Sequence, residues 1–194
     1  AINLAKKLLS ILPSHLTKIF FSDNGSTTVE VAIKMALQYW FNKGEDKRKI
    51  IVFRNSYHGD TFGAMSCADR NEFNKPFWSH LFEVLFIDPP LVNKDPSPTF
   101  KELKSRLKKN KDISAFIYEP LVQGAGGMLM QDKTAMNEVL SLVKSENILC
   151  LADEVMTGFG RTGKILASDY LEHKPDVLCL SKGITGGFLP LAVT

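Results

Sequence analysis

The sequence has few cysteines, little net charge and no long apolar run. Its three cysteines, Cys67, Cys150 and Cys179, stand far apart among core-type residues. That spacing matches neither a secreted disulfide scaffold nor a zinc site, so they read as reduced, buried thiols. The net charge is only +3, too small to point to nucleic acid. The basic excess is local: 101–111 (KELKSRLKKNK) holds six basic side chains and one acid. This run reads as the solvated face of a helix whose inner face is Phe100, Leu103 and Leu107. No apolar run approaches the roughly 18 residues needed to cross a bilayer. Lys6 and Lys7 lie inside an amphipathic pattern from Ala1 to Leu12 and precede no apolar stretch, so no signal peptide is read there. A cytoplasmic protein without membrane contact is expected. Repeats and low-complexity segments are also lacking. What remains is ordinary globular composition, 44% hydrophobic and 23% charged over 194 residues, enough for one domain with a real core.

Strand-like runs alternate with helical ones. The strand candidates are Lys18–Ser22, Lys49–Phe53, Val84–Ile87, Ser114–Tyr118, Ile148–Ala152 and Val177–Leu180. They are short and nearly continuously apolar, as strands buried on both faces of a mainly parallel sheet must be. Helical patterns lie at Thr27–Phe41, Phe100–Asn110 and Thr134–Ser145. The first lines up Val29, Ala32, Ile33, Ala36, Leu37 and Trp40 on one stripe. The alternation implies an α/β layered fold. The Pro-rich stretch Asp88–Pro98 reads as a surface loop.

In such sheets ligands bind beyond the carboxyl ends of the strands. Five polar, glycine-bearing segments fall there: Asp23–Ser26, Asn55–Asp60, Gln123–Gly127, Asp153–Gly163 and Ser181–Gly187. The first joins a strand to a helix. Gly25 allows close backbone approach, Ser26 offers a hydroxyl, and the helix start favours an anion; an ordinary cap by Ser26 or Thr27 is the competing reading. Tyr57, at a strand end before Gly59, suits either stacking on a planar ligand or a hydrogen-bonded loop. No partner for His58 can be read nearby. Asp153 emerges from a buried strand, where a carboxylate can hold a proton on a heteroaromatic nitrogen, cap a turn or bind a metal. Lys182 follows the last strand among glycines. It is either solvated or, if desolvated, a nucleophile towards a carbonyl. Together these residues answer the needs of pyridoxal phosphate, which has an aldehyde, a pyridine nitrogen, a planar ring and a phosphate.

At this point the chain resembles the class III, fold-type-I pyridoxal-phosphate aminotransferases. The residues that carry the resemblance are FFSDNGSTTVEVAIKMALQYW (20–40), NSYHGDTFGAMS (55–66), YEPLVQGAGGM (118–128), LADEVMTGFGRTG (151–163) and LSKGITGGFLPLAVT (180–194). The resemblance implies a mainly parallel, seven-stranded-type sheet, with 1–194 forming the central part of the cofactor-binding large domain. On that view an N-terminal segment and a C-terminal small domain lie outside the chain. It also implies that Lys182 bonds the cofactor aldehyde, Asp153 pairs with the ring nitrogen, and Gly25 and Ser26 bind the phosphate. Tyr57 would stack on the ring and touch substrate, Val155 would pack on the other ring face, and Glu119 would stand behind Asp153.

Two departures narrow the branch. Many relatives carry Gln three residues after the pyridine-binding Asp; here it is Met156. Amino-acid and ω-amino-acid enzymes often carry Glu after the Gln-Gly pair; here it is Ala125. Both disfavour ornithine- or GABA-type substrates. They fit the branch that moves an amino group from S-adenosylmethionine to 8-amino-7-oxononanoate in biotin synthesis, as a homodimer with no nucleic-acid partner and no metal. Another class III substrate is the first alternative. A non-catalytic nucleotide-binding domain is the second, although Ser22–Thr27 has neither G-x-G-x-x-G nor G-x-x-x-x-G-K spacing.

Overall fold

Five of the six apolar runs become strands of one parallel sheet. The computed structural model describes residues 1–194. In chain order the elements are α1 (Ile2–Ile11), β1 (Phe21–Ser22), α2 (Gly25–Asn42), β2 (Lys49–Phe53), α3 (Phe62–Ser66), β3 (Leu85–Ile87) and α4 (Ser97–Lys109). They continue as β4 (Ile113–Tyr118), β5 (Val122–Gln123), β6 (Leu129–Met130), α5 (Lys133–Ser145), β7 (Leu149–Asp153), β8 (Val177–Cys179) and β9 (Ala192–Val193). Strands β3-β2-β4-β7-β8 pair in that order, all parallel. Leu180 and Val193 then exchange backbone hydrogen bonds of 3.0 and 2.9 Å, carrying the edge of the sheet onto antiparallel β9 and β1. The parallel sheet itself thus has five strands, short of the seven expected, with the two-residue strands β1 and β9 forming a separate ladder that meets its edge through this one bridge.

Alternation along each strand divides the core into two layers. Ile50, Val52, Ala115, Ile117 and Leu151 point to α2, where Val29, Ala32, Ile33 and Ala36 supply the facing stripe. Ile51, Phe53, Phe116, Tyr118 and Cys150 point the other way, onto Leu103 and Leu107 of α4 and Met136, Val139, Leu140 and Val143 of α5. All six residues of β4 are buried. Phe116 stacks on Tyr118 at 5.1 Å and meets Phe53 edge-on at 5.1 Å, the offset and T-shaped arrangements that aromatic quadrupoles favour. The basic run of α4 faces outward, as its spacing predicts. The three cysteines are free and buried; burial pushes the Cys150 thiol up to about 12.

Three boundaries differ from the sequence reading. Only Phe21 and Ser22 of Lys18–Ser22 form a strand, because their partner β9 has two residues, and Phe20 is 52% exposed beside it. Helix α4 starts at Ser97, inside the expected loop, with Pro98 in its first turn, where the missing N–H costs nothing. Helix α2 starts at Gly25, and its cap is Asn24, in place of Ser26 or Thr27. Asn24 Oδ1 accepts from Thr27 N at 3.1 Å, and Thr27 Oγ1 accepts from Asn24 N at 3.1 Å, a reciprocal capping box.

Candidate active site

The five polar segments converge. They line one cavity of about 750 Å³ beyond the carboxyl ends of the strands, with Ser26, Tyr57, Gly124, Asp153 and Lys182 all on its wall.

Asp153 is the last residue of β7, and its carboxylate is buried. Oδ1 accepts from Val155 N at 3.0 Å, and Oδ2 lies 2.7 Å from His58 Nδ1. A carboxylate anion only accepts, so Nδ1 carries the proton. His58 is buried and its Nε2 has no partner. This pairing is absent from the sequence reading, which left His58 without a partner: the two residues lie 95 positions apart, and no local pattern reports such a contact.

Glu119 follows β4 and is also buried. It accepts from Tyr57 N at 3.2 Å and Gly124 N at 2.9 Å, tying two cavity walls together. Burial pushes its carboxyl up, while His58 pulls it down and Asp153 pushes it further up. Glu119 thus sits in the neighbourhood of Asp153 while bonding to backbone on either side.

Tyr57 is 42% exposed and donates its hydroxyl to Asp60 Oδ2 at 2.9 Å. Burial, then the bond to Asp60, then the charges of Asp60 and Asp153, push the phenol up to about 12. An acid whose folded pKa lies above its unfolded value stabilises the fold below the unfolded pKa. That contribution is lost as pH rises through the folded value. For Tyr57 the window runs from about 10 to about 12. Alkaline unfolding of Tyr57→Phe is expected to lack that part of the pH dependence; a curve parallel to the unaltered protein's would count against the hydrogen-bonded phenol.

The start of α2 forms the anion end. Asn24 satisfies Thr27 N and Thr28 N bonds Asn24 O, whereas no protein group accepts from Gly25 N or Ser26 N. Free amides at a helix start attract negative charge. Ser26 Oγ accepts from Asp60 N at 3.0 Å. Gly25 has a second reason to be glycine: an added Cβ would lie 2.8 Å from Val155 Cγ1. Gly59, at φ +130°, packs as tightly, its added Cβ 2.7 Å from Ser26 Cα.

Lys182 opens a single 3-10 turn after β8 and is exposed, so the desolvated surround considered from sequence is not what the fold provides. Ser181 before it is buried and donates to Leu191 O at 2.8 Å. Met156 and Ala125, the two departures noted above, both line the cavity. Glu154 escaped the sequence reading entirely. It is a buried carboxylate accepting from Thr157 Oγ1, Ala167 N and Ser168 N at 2.7–2.8 Å, and its one sequence signal is an acid directly after a buried strand end. Gly158–Gly163 has the G-x-G-x-x-G spacing but leads through turns and into no helix, so it lacks the context of a dinucleotide loop.

A sequence model of the class-III aminotransferases matches residues 1–194. The chain belongs to that family. It is 48% identical over 198 residues to an adenosylmethionine-8-amino-7-oxononanoate aminotransferase of Synechococcus elongatus, covering 98% of this chain and 46% of that protein. The crystal structure of the enzyme of the same name from Methanocaldococcus jannaschii superposes with a TM-score of 0.90 at 40% identity, covering 99% of this chain and 44% of that one. An amine transaminase from an uncultivated Pseudomonas species, solved with PLP bound, gives 0.89 at 32% identity, covering 99% of this aminotransferase chain and 46% of that one. The chain therefore spans a little under half the length of the relatives it matches.

Proposed function

We propose that this chain carries the pyridoxal-phosphate site of an enzyme that transfers the amino group of S-adenosylmethionine to 8-amino-7-oxononanoate. The observation that carries the reading is the meeting, in one cavity, of an accessible lysine amine, a His-supported buried carboxylate and two unpartnered helix-start amides. The substrates follow the names of the relatives, and Met156 and Ala125 fit that branch.

The residues suit the cofactor's parts. Gly25 N and Ser26 N would hold the phosphate. Asp153 would keep a proton on the ring nitrogen, with His58 Nδ1–H and Val155 N–H fixing the carboxylate's orientation. Tyr57 and Val155 would bound the two ring faces. Pyridoxal phosphate, when bound, supplies an aldehyde that bonds primary amines and an electron-withdrawing pyridinium ring. Lys182 Nζ would bond that aldehyde, yield it to the donor amine, and as a free amine take the proton from the donor's α-carbon and return it at the cofactor carbon. The same reading makes 1–194 the central part of the large domain of a cytoplasmic homodimer.

The test has two parts, both on the intact protein. Incubation with pyridoxal phosphate, borohydride reduction and peptide mapping is expected to place a single adduct on Lys182. A donor screen is then expected to show amino transfer from S-adenosylmethionine to 8-amino-7-oxononanoate. Transfer from ω-amines alone would favour the second reading, a different class III substrate. Adducts scattered over the lysines of 101–111 would count against the site itself.

A further inference from the structure

The loop that leaves Asp153 returns beneath the lysine turn. Glu154 anchors its start through the three bonds described above, and its own N–H donates to Cys179 O at 2.9 Å. Gly158 then passes so close to β8's end that an added Cβ would lie 2.9 Å from Leu180 Cδ2. Phe159 follows in the left-handed region, at φ 60°, which L-residues with bulky side chains rarely adopt. Its side chain meets Gly183: a Cβ built there would lie 2.5 Å from Phe159 Cδ2 and 2.7 Å from both Phe159 Cβ and Cγ. The side chain also packs against the larger core cluster. Such a conformation persists only where its surroundings hold it. What it delivers here is an aromatic ring against the residue that follows Lys182.

We propose that Phe159 is a positioning residue for Lys182. Its ring supports the Gly183 backbone and so fixes where Lys182 Nζ stands over the cavity. The turn needs a support of this kind: Lys182 and Gly183 are exposed, and the chain beyond turns away through left-handed Gly186 and Gly187. A fixed loop from Asp153 to Phe159 also makes the spacing between the carboxylate and the amine a property of packing, beyond the register of β7 and β8 alone. Gly183 is glycine because the ring occupies the space a side chain would take.

The inference rests on the reading of Lys182 as the amine that bonds the cofactor aldehyde. It is tested on the intact protein by two measurements. One is the rate and half-saturation of borohydride-trapped adduct formation on Lys182 with pyridoxal phosphate. The other is the acetylation rate of Lys182, relative to surface lysines, in cofactor-free protein. Phe159→Ala is expected to slow the Lys182 adduct about tenfold or more, since small misplacements of a reacting group have effects of that size. Half-saturation is expected to stay within about twofold, because binding and reaction are separable and Gly25, Ser26 and Asp153 are untouched. Relative acetylation of Lys182 should change, and Phe159→Tyr, which keeps the ring, should restore both readouts. Gly183→Ala should also slow the adduct, and Gly183→Ala combined with Phe159→Ala should be no worse than Gly183→Ala alone, the non-additivity of a direct contact.

An unchanged adduct rate in Phe159→Ala would overturn the inference. So would additive effects, or a loss of half-saturation in step with rate that Phe159→Tyr does not rescue. Should Phe159→Ala not fold, Phe159→Leu, which keeps apolar volume without the ring, is read in its place. No Lys182 adduct in the unaltered protein would overturn the functional reading as well. A normal adduct there with no response to Phe159 counts against Phe159 alone.

Discussion

Replacing Lys182 with alanine is expected to lower amino-transfer turnover by about 10⁴-fold or more, the scale seen when a group that is both nucleophile and proton carrier is removed. The size follows from the two tasks assigned to one amine. On the proposed reading, without Nζ the cofactor would have no covalent tether and no base would stand at the donor's α-carbon. Stability should change little, because Lys182 is exposed and makes no side-chain hydrogen bond or ion pair in the structure. The measurement is single-turnover amine transfer, with thermal unfolding alongside. Added methylamine, a small diffusible base, should recover part of the rate, which a collapsed site would not allow. Turnover within about tenfold of the unaltered protein would remove Lys182 from the chemistry.

Asp153→Asn is the second large effect, an expected fall of about 10²–10⁴-fold in the transfer rate, the range for lost electrostatic or tautomer control. Asparagine has nearly the shape of aspartate but no charge, and at the Oδ2 position it either offers an NH₂ to His58 Nδ1–H or an uncharged oxygen. The cofactor should still bind, held by Gly25, Ser26 and Lys182. Rate and affinity should therefore separate: borohydride trapping proceeds while turnover fails. His58→Phe removes only the partner of Oδ2 and should cost less, about 10–100-fold by analogy with outer residues that orient a reacting group. A near-normal rate in Asp153→Asn would sink the assigned role, and a His58→Phe rate below that of Asp153→Asn would invert the order of importance.

Much of the sheet was legible because its strands are buried on both faces. Ile50 to Phe53 or Ser114 to Tyr118 can hardly be read otherwise, and α2's stripe fits one face alone. The five loop segments were legible because each carries a glycine or polar cluster directly after an apolar run. What sequence could not report was pairing across distance. His58 finds Asp153 only after β2 and β7 take their places on either side of β4. Phe159 gives no hint of its left-handed backbone, because an aromatic residue is a poor local choice there and tertiary packing overrides it. Asn24 displaced Ser26 and Thr27 as the cap because all three are good caps, and reciprocity with Thr27 decides among them. The exposure of Lys182 was one of two readings its strand-end position left open, and the tertiary surroundings of its turn decide between them.

The short edge strands govern when the site can exist. Helix α2 begins beside β1, whose only strand partner is β9, and Thr28 Oγ1 donates to Val193 O, a contact spanning 165 positions. Contacts of such separation form late and slow the approach to the native state. During synthesis, roughly 10–30 s of elongation separate the two residues at ordinary ribosome speeds. Throughout that interval the emerging helix has its own cap but not the strand that seats it, and Lys182 is made only near its end. A cofactor offered to the nascent chain would find an amide pair without its amine. On the proposed reading, cofactor loading would wait until both Lys182 and β9 have been made.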